Sequence, residues 1–223
     1  MRHGKRGSRL LLAKIAAIIG FLALHGAGPA HSQDGPAVPP AEPVDGIPQA
    51  EWSRAWWQWA ASFERNESPI ADPTGAQCAR KQGGNVWFLA GTYETKRTIR
   101  TCKVPQGKHL FFPLINYVVM PPLREAGDCP AAMRDATLIM DAVSHLVLEV
   151  DGVRVPDLKS YRQATMECFD IGALTNPRVR VFPSAANGYY VMLRPLDPGT
   201  HTLNFGGVLP GMMQAITYTL HVE

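Results

Sequence analysis

Four of the chain's five tryptophans, Trp52, Trp56, Trp57 and Trp59, fall within eight consecutive residues. An indole combines a large apolar face with one N–H donor, so such a cluster serves either a core or a stacking surface for a ligand. Trp52, Trp56, Trp59 and Phe63 stand at i, i+4, i+7 and i+11, which puts them on one stripe of a helix. That stripe reads as packing, because burying one such ring contributes roughly 4–6 kcal/mol before entropy. Trp57 points roughly 80° or more away from the stripe at about 100° per residue, toward Ser53, Ala60 and Glu64. It is the first candidate contact for a ligand, a headgroup or a partner protein. Trp87 and Tyr93, which bracket the segment VWFLAGTY, are the further aromatic candidates.

Other reactive side chains are scattered. His201 shares a strand face with Leu203 and Phe205, where a histidine is either satisfied by backbone groups or placed for binding or catalysis. His145 and His221 read as outward positions. Asp72 and Asp197 begin Asp-Pro turns, whereas Glu94, Asp128, Glu167 and Asp170 stand near loops or cysteines. No G-x-S-x-G, H-E-x-x-H, G-x4-G-K-[ST], G-x-G-x-x-G or calcium-loop pattern occurs. The catalytic set is therefore unassigned, and no cofactor or metal is expected. Cys78, Cys102, Cys129 and Cys168 are even in number and lack close ligand pairs, which favours two disulfides over a zinc site. Pairing Cys78 with Cys102 and Cys129 with Cys168 staples each loop-rich insertion onto neighbouring strands.

These residues need elements to position them. Residues 2–9 are basic, Leu10–Leu24 is apolar apart from Lys14, and Ala30 and Ser32 fit a signal-peptidase site. Residues 1–32 thus read as a cleaved leader, too short to span a bilayer. Without them 22 basic and 19 acidic residues become 17 and 19, and the formal charge moves from +3 to −2. That argues against a nucleic-acid partner. Residues 33–48, with five prolines, read as a linker without a packing role. One domain over 49–223 follows.

The aromatic helix is expected over 50–64 and a second short helix over 131–143. Strand patterns cover 86–93, 98–104, 110–119, 146–150 with 153–155, 178–182, 189–194, 200–207 and 216–222. Asp151-Gly152, Asn187-Gly188 and Asp197-Pro198-Gly199 mark the turns. Short strands with early helices predict a mainly β chain, an antiparallel β-sandwich of immunoglobulin-like or jelly-roll type.

Several segments occur together: Trp52-Ser53-Arg54-Ala55-Trp56-Trp57-Gln58-Trp59, Asp72-Pro73-Thr74-Gly75 before Cys78, Val86-Trp87-Phe88-Leu89-Ala90-Gly91, Cys102-Lys103-Val104-Pro105, and Gly107-Lys108-His109-Leu110-Phe111-Phe112-Pro113. With Pro198-Gly199-Thr200-His201-Thr202-Leu203 they resemble a family of secreted microbial proteins of uncharacterised activity. The resemblance implies export and a shared fold, and it assigns no site. The expectation is an exported module, periplasmic or extracellular, that binds a ligand or surface (a glycan or envelope component) through Trp57, Trp87, Tyr93 and His201. A hydrolase of glycans or esters and a structural subunit of an envelope assembly are the alternatives.

Overall fold

The computed structural model describes Met1 and residues 35–121, 127–174 and 180–223; apart from Met1, the expected leader at 1–32 lies outside the described residues. The chain is mainly β: the described residues form nine strands in two sheets and two α-helices. The strands are β1 (Val86–Phe88), β2 (Thr98–Val104), β3 (His109–Val119), β4 (His145–Val150), β5 (Val153–Arg154), β6 (Arg162–Ala164), β7 (Ala185–Leu193), β8 (Gly199–Leu209) and β9 (Met212–Val222). One sheet has the order β1-β3-β7-β6, the other β2-β9-β8-β4-β5.

The two sheets close on one apolar core. Phe112, Leu114, Val191 and Leu193 of the first meet Leu148, Leu203, Phe205 and Leu220 of the second. Phe112 and Phe205 cross the gap with ring centroids 4.6 Å apart. On β9, Ile216, Tyr218, Leu220 and Val222 are buried and the residues between them are half-buried, the alternation that the sequence predicts. Both residues of the β4–β5 turn take positive φ, 52° at Asp151 and 80° at Gly152, as a two-residue hairpin turn requires.

The first sheet is buried on both faces, because α1 (Gln49–Ala61) lies across its outer side. Trp56 and Trp59 are buried there against Val86, Phe111, Tyr190 and Met192, and Trp52 and Phe63 pack at the margins. This explains why every residue of β7 is buried. The second helix, α2 (Cys129–Asp141), buries Ala132, Ala136 and Met140. The disulfides are Cys78–Cys102 and Cys129–Cys168, as the sequence suggests.

Four expectations need correction. The sheets are mixed: β1 runs parallel to β3, and β2 runs parallel to β9 over seven residue pairs, Thr98–Val104 beside Ile216–Val222. Residues 35–48 do pack. The Val38 N–H donates to the Met192 carbonyl, Ala37 bridges Leu193, and Val38 and Val44 are buried under α1. Proline supplies no amide donor, but the residues between the prolines do. Asn187-Gly188 is not a turn; it lies within β7 opposite Asn116, and a Cβ on Gly188 would sit 2.5 Å from the Asn116 Cβ. Asp197-Pro198-Gly199 makes no hairpin; it carries the chain from β7 in one sheet to β8 in the other. The strand expected over 178–182 falls partly outside the described residues, and 180–183 are irregular.

Candidate functional site

Beside α1, at the end of the first sheet, a cavity of about 350 Å³ is lined by Trp56, Trp57, Ile70, Gly91, Thr92, Tyr93, Asn116, Tyr117, Val118, Met120, Met212 and Gln214. It is within the usual size range of small-ligand pockets. Two of the four sequence candidates, Trp57 and Tyr93, meet in it. Tyr93 is 60% exposed at the rim, near the exposed Tyr117 and Met120. The Arg65 guanidinium sits 5.6 Å from the Tyr93 ring centroid, a cation–π contact that orients the ring.

Trp57 is set by a polar contact beneath it. The indole N–H donates to the Tyr190 hydroxyl at 2.8 Å, and the Asn116 side-chain amide donates to the same oxygen at 3.1 Å. Burial pushes the Tyr190 ionisation well above the ordinary tyrosine range, while the Asn116 and Trp57 donors pull it down less strongly, so the group is a neutral phenol. The remaining indoles of α1 donate to backbone carbonyls: Trp52 to Val44, Trp56 to Leu89 and Trp59 to Arg80. Trp57 alone among these four is held by a side chain, and its ring stacks edge-on against Trp56 at 5.2 Å between centroids.

Two buried side chains shape the loops of the cavity. Arg100, 1% exposed, points its guanidinium at the carbonyls of Ile70, Asp72, Ala90 and Gly91 and at the Tyr218 hydroxyl. Gln214 reaches from β9 to the first sheet, where its Nε2 donates to the Pro113 and Leu114 carbonyls. Those carbonyls sit where the β3–β7 register shifts, between Pro113 and Ile115. Its Oε1 accepts from the Thr92 N–H. The sequence reading singles out neither residue, nor Asn116, Tyr117, Met120 or Met212. Arg100 does have a signal: it alternates with Cys102 and Val104, and so must face inward with them.

The other two candidates lie elsewhere. Trp87 is 8% exposed within the core between the sheets, and its indole N–H has no partner, so it offers no contact surface. His201 lies at the start of β8, where its Nδ1 meets the Asp151 carboxylate at 2.7 Å and its Nε2 the Asp197 carbonyl at 2.9 Å. The Asp151 hydrogen bond is the main reason its pKa is raised. With both ring nitrogens facing acceptors, the imidazole has no free lone pair with which to accept a nucleophile's proton. A second cavity, of about 370 Å³, lies along β4 between Ser144 and Lys159 and contains none of the sequence candidates. Among the described residues no group of three or more histidines, cysteines or carboxylates is placed to hold a metal. No described helix is long and apolar enough to cross a membrane.

No family model matches the chain, and no curated protein does. One solved structure, PbICP-C in complex with falcipain-2, is similar over 62% of this chain and 98% of that chain, at 10% identity and a TM-score of 0.25. A likeness of that size carries no argument about fold or activity.

Proposed function

We propose that the chain is an exported binding protein, periplasmic or extracellular, which takes a small ligand into the aromatic cavity beside α1. The observation that carries this reading is the convergence of Trp57 and Tyr93, far apart in sequence, on one concave surface with Tyr117 and two methionines. Rigid aromatic walls with adaptable thioethers are what a site for apolar or amphipathic ligands uses. The two disulfides are compatible with an oxidising compartment.

Binding is favoured over hydrolysis by the chemistry of the lining. No carboxylate, histidine, lysine or arginine is among the lining residues, and His201 is engaged elsewhere. A hydrolase needs a base within reach of its substrate.

A thermal-shift screen of the oxidised protein against small apolar and amphipathic compounds tests the proposal, with Trp57→Ala as control. A ligand at 100 times its Kd raises stability by about 2.7 kcal/mol. The expected hit shifts the wild type and not the variant. Hits that shift both equally would place binding outside this cavity.

A further inference from the structure

The polar inventory of the cavity narrows what can enter it. Its apolar wall is Trp56, Trp57, Ile70, Val118, Met120 and Met212. No ionised side chain lines it, so a charged ligand would leave water without meeting a counter-charge. Of its polar groups, the Tyr93 and Tyr117 hydroxyls belong to exposed residues at the rim, and most of the buried ones are already committed. Gln214 uses Nε2 twice and Oε1 once. The Thr92 hydroxyl contacts Thr98 Oγ1 and accepts from the Glu94 N–H. The Gly91 carbonyl accepts from Arg100.

Asn116 is the exception. Its side chain is 95% buried (5% exposed) and its Nδ2 is spent on Tyr190, but its Oδ1 accepts no hydrogen bond. The unpaired side-chain atoms sealed inside the described residues are Gln49 Oε1, Trp87 Nε1 and His109 Nδ1. Asn116 Oδ1 is not among these, and Asn116 lines the cavity. Its position is fixed from two sides, by the Tyr190 hydroxyl and by close approach to Gly188. One phenolic oxygen therefore positions both the Trp57 wall and the polar anchor.

We infer that the cavity selects a neutral, mostly apolar ring compound carrying one hydrogen-bond donor, a phenol or cyclic alcohol, whose hydroxyl donates to Asn116 Oδ1. This rests on the reading of the cavity as a binding site. It excludes carboxylates, since no lining residue is a cation and Arg65, at the rim, is engaged on the Tyr93 ring. It also excludes sugars, whose many hydroxyls would be desolvated against an apolar wall that offers Asn116 Oδ1 inside and the Tyr93 and Tyr117 hydroxyls at the exposed rim.

Three probes of nearly equal size separate the terms: p-cresol, 4-methylanisole and 4-methylbenzoate, with methyl glucoside as the sugar arm. Dissociation constants come from ligand-observed NMR at pH 7 on the oxidised protein. The expected order is p-cresol about tenfold tighter than 4-methylanisole, the size of effect one neutral hydrogen bond produces. The benzoate and the glucoside should be at least 100-fold weaker than p-cresol. In Asn116→Leu the cresol-to-anisole ratio should fall to within about twofold while anisole affinity holds. The wild-type series remains decisive if that variant fails to fold. Anisole binding as tightly as cresol, or the benzoate or glucoside binding comparably, with the affinity lost in Trp57→Ala, would overturn the ligand class and leave the site standing. Failure of every probe to bind would remove both.

Discussion

The Trp57 indole nitrogen lies 2.8 Å from the Tyr190 hydroxyl, so a ring on the flank of α1 takes its orientation from a phenol on β7. Tyr190→Phe removes that acceptor and leaves the Trp57 and Asn116 donors without it. The expected loss is roughly 1–3 kcal/mol in urea unfolding, with a change in tryptophan emission as the Trp57 ring is released. A variant as stable as the wild type, with unchanged emission, would show that the contact positions nothing.

Trp56 and Trp87 separate a satisfied indole from an orphaned one. Trp56→Phe leaves the Leu89 carbonyl without its donor and opens space under α1, at a cost of roughly 2–4 kcal/mol. Trp87→Phe loses comparable ring area but deletes a buried N–H that has no partner, so its cost should stay within about 1 kcal/mol. Equal midpoints in guanidinium would contradict this account of both residues.

Arg100→Met should destabilise the protein by roughly 3–5 kcal/mol, because it leaves buried carbonyls unpaired in two loops at once. Arg100→Lys should rescue little, since one ammonium cannot reproduce a planar fork of donors. Amide exchange around 70–75 and 89–93 reads the loops directly. Unchanged protection there in Arg100→Met would be incompatible with a positioning role.

His201 and Asp151 give stability a defined pH window. The Asp151 hydrogen bond, partly opposed by burial, raises the His201 pKa, so its contribution is complete below the ordinary value of about 6.5. It fades as pH rises through the elevated folded value. For Asp151, burial works upward, but hydrogen bonds from His201 and the Thr202 N–H hold the carboxyl below its usual range. Its contribution is complete above about pH 3.9 and is lost as pH falls through the depressed folded value. Asp151→Asn keeps a side chain that tolerates the positive φ of the turn. The Tm gap between wild type and Asp151→Asn should be widest between about pH 4 and 6.5 and narrow toward pH 9. A gap independent of pH from 6 to 9 would mean that the pair does not titrate as described.

The disulfides close loops of 24 and 39 residues in sequence separation. Chain-entropy estimates put each at roughly 3–4 kcal/mol. Replacing Cys129 and Cys168 by alanine should lower unfolding stability by about that amount. Replacing Cys78 and Cys102 should also loosen the loop before β1, which urea unfolding combined with limited proteolysis would detect.

Local pattern made some of this legible and tertiary context hid the rest. Trp56 and Trp59 announce the inward side of α1 because helix spacing is a local property. The hairpin at Asp151-Gly152 and the alternation of β9 are local in the same way. The pairing of β2 with β9 is not, since nothing near Thr98 names Ile216 as its neighbour. Val38 and Val44 are concealed by the prolines around them. Gly188 imitates a turn signal although its actual constraint is the Asn116 side chain across the ladder. Trp57 was separable from the stripe by angle alone, but its companions Asn116 and Met212 come from other strands. Trp87 misleads because β1 lies in a sheet covered on both faces, so neither side of the strand is free.

The parallel alignment of β2 with β9 has a consequence for how the protein comes into being. A ribosome delivers Thr98 long before Ile216, and until then β2 has no strand to join in its sheet. Its inward Arg100 must also wait for the Tyr218 hydroxyl. Strands β1, β3 and β7 can pair before β9 exists, but β2 stays without its sheet partner until β9 has been synthesised. The edge strand of the second sheet is therefore made early and seated last.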